Sequence, residues 1–430
     1  MRRQSALAFL GSCLVLTSGL VLTSGVHAQQ PLGSFLDSAS TRSLDVRQAQ
    51  ASLTQARASI ELARARLLPA FIAQGNYTRN ENQVQFTLPG GTQPTTIQAY
   101  DQLSATFTVS VPLVDVAAWS SYFRVEANAG AAAAQAELAR QNVSVAVVQI
   151  WHQFVAARAL QEASQRSLEA SESARLNVQA RVEVGMGSQL ELARATAEVE
   201  RARQVLAESE LQASLAARNL ENLTGLGPSE VAVALDDDGH EEPALSTFLA
   251  NVDHAPAVRA ARAARNAADA GRTAAWTGLL PVISGSFTER ATNASGFAPN
   301  TQWLLGLTAT WTLDYSRPAN VMVQDAAVGG ADIQVERAEQ QVSTAIFEAW
   351  HRVRTARVQL EAARAAEEAT RRAAEDARAR FEAGAGTQIE QIQAERDRFS
   401  AEVGRIQATA NLRVARAALR LQAGMPVESR

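Results

Sequence analysis

The sequence predicts a mainly α-helical protein with a membrane β-barrel contribution, built as a duplicated unit of one strand hairpin and one long coiled-coil helical hairpin. Three observations predict it. A long motif recurs at a fixed offset, two segments alternate apolar and polar residues with period two, and two near-proline-free stretches are far longer than a globular domain needs.

The N-terminus sets the compartment. Arg2 and Arg3 precede an apolar stretch, and Val26-His27-Ala28 is a small-x-small cleavage site, so residues 1–28 are expected to be a secretory signal peptide. A retained membrane helix is the weaker reading, because Gly11, Ser12, Thr17, Ser18 and Gly19 interrupt the stretch and no stop-transfer charges follow. Leu10-Gly11-Ser12-Cys13 loosely resembles a lipoprotein box, but apolar residues continue past Cys13. Cleavage after Ala28 removes the only cysteine, leaving a mature chain that must be held by packing or assembly without disulfides or thiolate metal sites.

Charge argues against nucleic acid as a partner. The formal net charge is −4, and losing Arg2 and Arg3 makes it −6. The basic residues are arginines interleaved with Glu and Ala, the pattern of a solvated helix face.

The repeat defines the domains. Arg181-Val-Glu-Val-Gly-Met-Gly-Ser-Gln-Leu-Glu191 returns as Arg380-Phe-Glu-Ala-Gly-Ala-Gly-Thr-Gln-Ile-Glu390, and the same offset (380 − 181 = 199) carries Trp151-His152 onto Trp350-His351 and Asp115 onto Asp314. The expected division is a first repeat over 29–225, a linker over 226–245 containing the acidic run Asp236-Asp237-Asp238-Gly239-His240-Glu241-Glu242, and a second repeat over 246–430. Each repeat runs helix, strand, loop, strand, long helix, glycine turn, returning helix. The first copy carries extra residues in the loop that holds Pro89-Gly90-Gly91 and Pro94.

Strands are expected at about 70–80 and 102–114, and again at about 282–290 and 302–313. Their alternation gives each an apolar and a polar face. Trp303 and Trp311 share a face and lie roughly 26 Å apart along a strand, which fits the aromatic girdles bordering a barrel's apolar band. Four strands cannot close a channel, whereas two chains supply eight strands and a filled lumen, and three supply twelve and room for a pore. Assembly is therefore required; a tetramer also satisfies this count.

Long helices are expected over 116–184 and 315–383, with Asp115 and Asp314 as N-caps and Pro318 in a first turn. Each spans about 100 Å at about 1.5 Å per residue. Val335, Ala338, Val342, Ala345, Ala349, Val353, Ala356, Leu360 and Ala363 recur in steps of three and four, a coiled-coil seam whose small residues need several helical neighbours. The helices reverse at glycine tips, 185–187 and 384–386. Trp151-His152 and Trp350-His351 are read as packing residues, and no phosphate loop, zinc spacing or nucleophile elbow is present, which points away from an enzyme or a cofactor.

Two strand pairs, two long helical hairpins, the Val111-Pro112-Leu113-Val114-Asp115 crossing and paired glycine tips together resemble the TolC-like outer-membrane efflux protein family, the outer membrane factors, over residues 43–425. The resemblance implies a homotrimer with a twelve-stranded barrel in outer-membrane lipid, continuous with a periplasmic α-helical tunnel in a Gram-negative cell. It implies a passive exit duct for efflux or type I secretion, with a periplasmic adaptor (membrane fusion) protein and an inner-membrane pump as partners. A periplasmic or cell-surface coiled-coil structural protein or adhesin is the alternative; it explains the helices but not the amphipathic strands.

By the same resemblance, adaptor contacts fall on Arg181, Gly185, Met186, Gly187, Arg380, Gly384, Ala385 and Gly386. The periplasmic constriction maps to Glu390 and Gln393, with Glu191 as the repeat partner of Glu390. Where carboxylates ring a narrow mouth, repulsion between them raises some of their pKa values and attracts cations.

Overall fold

A computed structural model describes residues 32–87, 89–90, 94–228, 235 and 240–425. The expected signal peptide over 1–28 and the acidic run from Asp236 to Gly239 lie outside the described residues.

The chain begins with helices α1 (Leu32–Arg42) and α2 (Leu44–Ala65), followed by strand β1 (Ala70–Arg79), a small hairpin of β2 (Val84–Phe86) and β3 (Thr95–Gln98), and β4 (Asp101–Val114). Helix α3 (Val116–Glu183) turns into α4 (Gln189–Thr224). The second half repeats the order: α5 (Leu245–Leu249), a short 3-10 turn, α6 (Pro256–Thr277), β5 (Val282–Thr292), β6 (Thr301–Thr310), α7 (Ser316–Glu382) and α8 (Gln388–Gln422).

Two large hydrophobic cores sit in the helical part, one centred on each repeat, and a smaller cluster of Val178, Ala195 and Phe381 joins the repeats near the tips. In the first, Phe35 of α1 packs with Val147, Val148, Trp151 and Val155 of α3 and Leu220 of α4; in the second, Phe248 packs with Ile346, Val353 and Leu360 of α7 and Leu412 and Leu419 of α8. The seam read along α7 is real: Ala349, Val353, Ala356 and Leu360 are buried. Because alanine buries little area, no single partner suffices. Helix α3 packs against α2, α4, α6 and α8, so the two repeats share one helical layer.

The helix starts differ between copies for a covalent reason. Asp115 is the N-cap of α3: its carboxylate accepts from Ala118 N at 2.8 Å, and its carbonyl accepts from Trp119 N at 3.2 Å. At the equivalent of Trp119 the second copy has Pro318, which lacks an N–H. Helix α7 therefore starts one residue later than expected, with Tyr315 as N-cap and its carbonyl accepting from Ala319 N. Asp314 is not the N-cap, although its side chain still accepts from Ser316 N at 2.9 Å.

The β-sheet has the order β1-β4-β5-β6, and all three ladders are antiparallel. The two hairpins are thus one continuous sheet rather than separate units. Strand β6 ends at Thr310, short of the expected 313, because Val282 pairs with Thr310 and β5 offers no partner beyond it. Beside the four long strands, the added β2–β3 hairpin occupies the insertion in the first copy. It meets the second copy's loop where Phe86 packs edge-on to Phe297 at 5.8 Å and Gly296 N donates to Thr96 O.

Candidate functional site

The register gives the sheet two chemically distinct faces. Paired residues in an antiparallel ladder share a face, so Phe71, Val109, Phe287 and Leu305 lie side by side, as do Ala73, Phe107, Glu289 and Trp303. The opposite face aligns Gln74, Thr106, Arg290 and Gln302, and Ile72, Thr108, Thr288 and Leu304, with the Thr108 and Thr288 hydroxyls 3.2 Å apart. One face is apolar apart from Glu289 and the Arg79–Asp101 ion pair, and the other is mostly Ser, Thr, Gln and Asn.

No element covers the apolar face among the described residues. Trp303, Leu305 and Leu307 are each 72% exposed, far from the burial such side chains seek in water. Strands β1 and β6 each have one unpaired edge among the described residues. Trp303 lies on this face as expected, stacked against Phe287 at 6.5 Å. Trp311 lies past the end of β6, its indole N–H donating to Leu279 O at 3.0 Å. Strand spacing therefore does not set the distance between the two tryptophans.

The other end of the molecule carries the two tips, and the duplicated motif has a complete backbone explanation. Gly185 and Gly384 adopt left-handed φ of 77° and 74°, a conformation only glycine adopts cheaply. Around them Met186 N donates to Arg181 O and Gly185 N to Val182 O, while Ala385 N donates to Arg380 O and Gly384 N to Phe381 O. These are Schellman caps. The second glycine of each tip is needed for space: a Cβ on Gly187 meets the Val182 side chain at 3.0 Å, and one on Gly386 meets Arg380 Cβ at 3.1 Å.

The residues that close the motif start the returning helices. Ser188 N donates to Glu191 Oε2 at 2.8 Å, and Glu191 N donates to Ser188 Oγ at 3.2 Å. Thr387 and Glu390 repeat the exchange at 3.0 and 3.3 Å. Both are capping boxes. Glu191 and Glu390 thus have a structural duty within one chain that the sequence reading overlooked, although Ser-x-x-Glu and Thr-x-x-Glu were its visible signal. Within one chain the Thr387 backbone N–H, and then the Arg380 charge, hold the Glu390 carboxyl below the usual range. Gln393 is exposed one turn further along α8.

The tips also bind each other. The Arg181 guanidinium donates to Phe381 O at 3.2 Å and lies 4.7 Å from the Phe381 ring centre, and buried Gln388 donates to Glu191 O at 2.7 Å. Further up, Arg396 pairs with Glu198, and Arg166 with Glu402 at 2.6 Å. Arg380 remains exposed. Solvent-facing apolar residues cluster here: Met186 is 73% exposed, and Val184, Leu190 and Ile389 are also exposed.

An uncovered amphipathic sheet at one end of a long helical body defines a class, the membrane channel protein whose barrel is shared between chains. The outer membrane efflux protein family matches residues 35–226 and 251–425, and the chain belongs to that family. The family is one of outer-membrane channel and transport proteins.

In fold the chain is similar to CusC, at 19% identity over 93% of each chain with a TM-score of 0.78. It is similar to the open state of the MtrE outer membrane channel of Neisseria gonorrhoeae, at 20% identity over 93% of this chain and 90% of that one, TM-score 0.76. The CmeC outer membrane channel of Campylobacter jejuni is similar at 18% identity over 91% and 85%, TM-score 0.75. No curated protein sequence matches the chain.

Proposed function

We propose that three copies of this chain form a passive outer-membrane duct, serving a tripartite efflux or type I secretion system. The observation that carries the reading is the four-stranded sheet, with one apolar face, one polar face and two free edges. Strand directions alternate across it, so β6 of one copy meets β1 of the next in the same antiparallel sense as every internal ladder. Closure at twelve strands leaves a lumen lined by the polar face, whereas eight strands are filled by side chains. The apolar face then meets lipid, with Trp303 and Trp311 as its interfacial aromatics.

The helices continue the duct into the periplasm, and the tips form its inner end. Met186, Gly185, Gly187 and Arg181, with Ala385, Gly384, Gly386 and Arg380, form a knobbed surface for the periplasmic adaptor, which links the duct to the inner-membrane pump. Its exposed Val184, Leu190 and Ile389 supply apolar contact area. Glu191, Glu390 and Gln393 line the constriction just above. A surface coiled-coil adhesin has no use for an amphipathic sheet, so that alternative is set aside.

The test is topological. Cysteines placed at Ser295, in the loop between β5 and β6, and at Met186, in the first tip, should differ on intact cells. An impermeant thiol reagent should label the first and spare the second until the outer membrane is breached. Equal labelling of both on intact cells defeats the proposal.

A further inference from the structure

The polar face of the sheet carries one charged side chain among the described residues, Arg290 on β5. Its ladder neighbours are Thr106 and Gln302, both uncharged. The nearest carboxylate in sequence, Glu289, is on the opposite face, opposite Phe107 and Trp303. Asp101 is also on the apolar side and is paired with Arg79 at 2.7 Å. The other residues around Arg290 on this face carry no charge: Thr106, Gln302, Thr288, Thr292 and Gln74 hydrate without neutralising a cation, and Leu304 is apolar.

The geometry points to an anion-selective exit: three Arg290 side chains, one per copy, ring the barrel lumen and make it favour anionic solutes. This rests on the duct reading above and adds a substrate class to it. Twelve strands spaced about 4.8 Å and tilted about 40° enclose a wall roughly 12 Å from the axis. Extended inward, each guanidinium comes within roughly 6 Å of the axis, inside the Debye length of about 8 Å at physiological salt. Coulomb's law in water with that screening makes a monovalent anion about fivefold more concentrated on the axis than in bulk. Among the described residues of the four strands, no other charge shares the ring's face. The carboxylates of the tips are about 100 Å away along α3, beyond many Debye lengths.

Thiol labelling from the cell exterior reads this field without requiring the periplasmic mouth to open. Thr288 is two residues from Arg290 on the same face, about 7 Å along the strand. A Thr288→Cys variant is treated with anionic and cationic methanethiosulfonate reagents of matched size. The anionic reagent should react faster, and adding Arg290→Gln should lower the anionic-to-cationic rate ratio about threefold. Arg290→Lys should keep the ratio, and high salt should abolish the difference. A ratio indifferent to Arg290→Gln overturns the inference and leaves the duct intact. If Thr288→Cys resists both reagents while Phe287→Cys reacts, the faces are reversed, and the duct reading falls together with the inference.

Discussion

His152 gives the fold a defined acid sensitivity. It sits in the middle of α3, 5% exposed, packed edge-on to Trp151 at 4.8 Å, and its Nδ1 has no hydrogen-bond partner. Burial first, and then the nearby Arg413 charge, lower its pKa from 6.5 to about 4. The folded chain therefore refuses a proton that the unfolded chain accepts. Above pH 6.5 both states hold neutral imidazole, and the residue adds no pH dependence. As pH falls from 6.5 towards 4 the unfolded state is progressively favoured, and below 4 the loss levels off. At 1.36 kcal/mol per pKa unit the full loss is about 3 kcal/mol. His152→Met keeps an apolar side chain of similar length and removes both the proton site and the unpaired nitrogen. Its denaturation midpoint in mild detergent should change less than the parent's between pH 6.5 and 4, and at neutral pH it should equal or exceed the parent. Parallel pH profiles for parent and variant would refute the reasoning.

Two further predictions concern the tips. Gly185→Ala and Gly384→Ala, at φ of 77° and 74°, should each cost about 1–2 kcal/mol locally and speed proteolysis at the tips. Gly130→Ala, in mid-helix with nothing within 4 Å of its Cβ, should instead stabilise α3 by about 1 kcal/mol; equal effects at the three sites would contradict the turn argument. Replacing Glu191 and Glu390 together by Gln keeps a residue competent for the capping box and removes the charge. It should lower cation-over-anion permeability in planar bilayers and weaken block by multivalent cations. Since Thr387 and Arg380 hold the Glu390 carboxyl low, the attraction of cations to the mouth, separate from the anion preference of the Arg290 ring at the far end, should persist into mild acid, and unchanged selectivity in the double variant would show that both carboxylates face away from the lumen.

Much of this molecule was legible because its periodicities are long. The 199-residue offset, the α7 seam and the alternation in β4 each repeat often enough to outvote single exceptions. What escaped was set by partners that a linear pattern does not contain. The end of β6 depends on where β5 begins, so Trp311 alternates correctly and yet lies outside the strand. The start of α7 depends on one missing N–H, at Pro318. The β2–β3 hairpin is short, with three and four residues per strand, too few for alternation to register. Glu191 and Glu390 were noticed for their charge, while their capping geometry was written in the same residues.

The most direct test of the account is the mass of the folded protein in mild detergent. Four strands with an exposed apolar face and two unpaired edges cannot remain so in a membrane, where every backbone group must be satisfied. Three protomers per particle is the expected result, and a stable, fully folded monomer would contradict the shared barrel on which the channel reading depends.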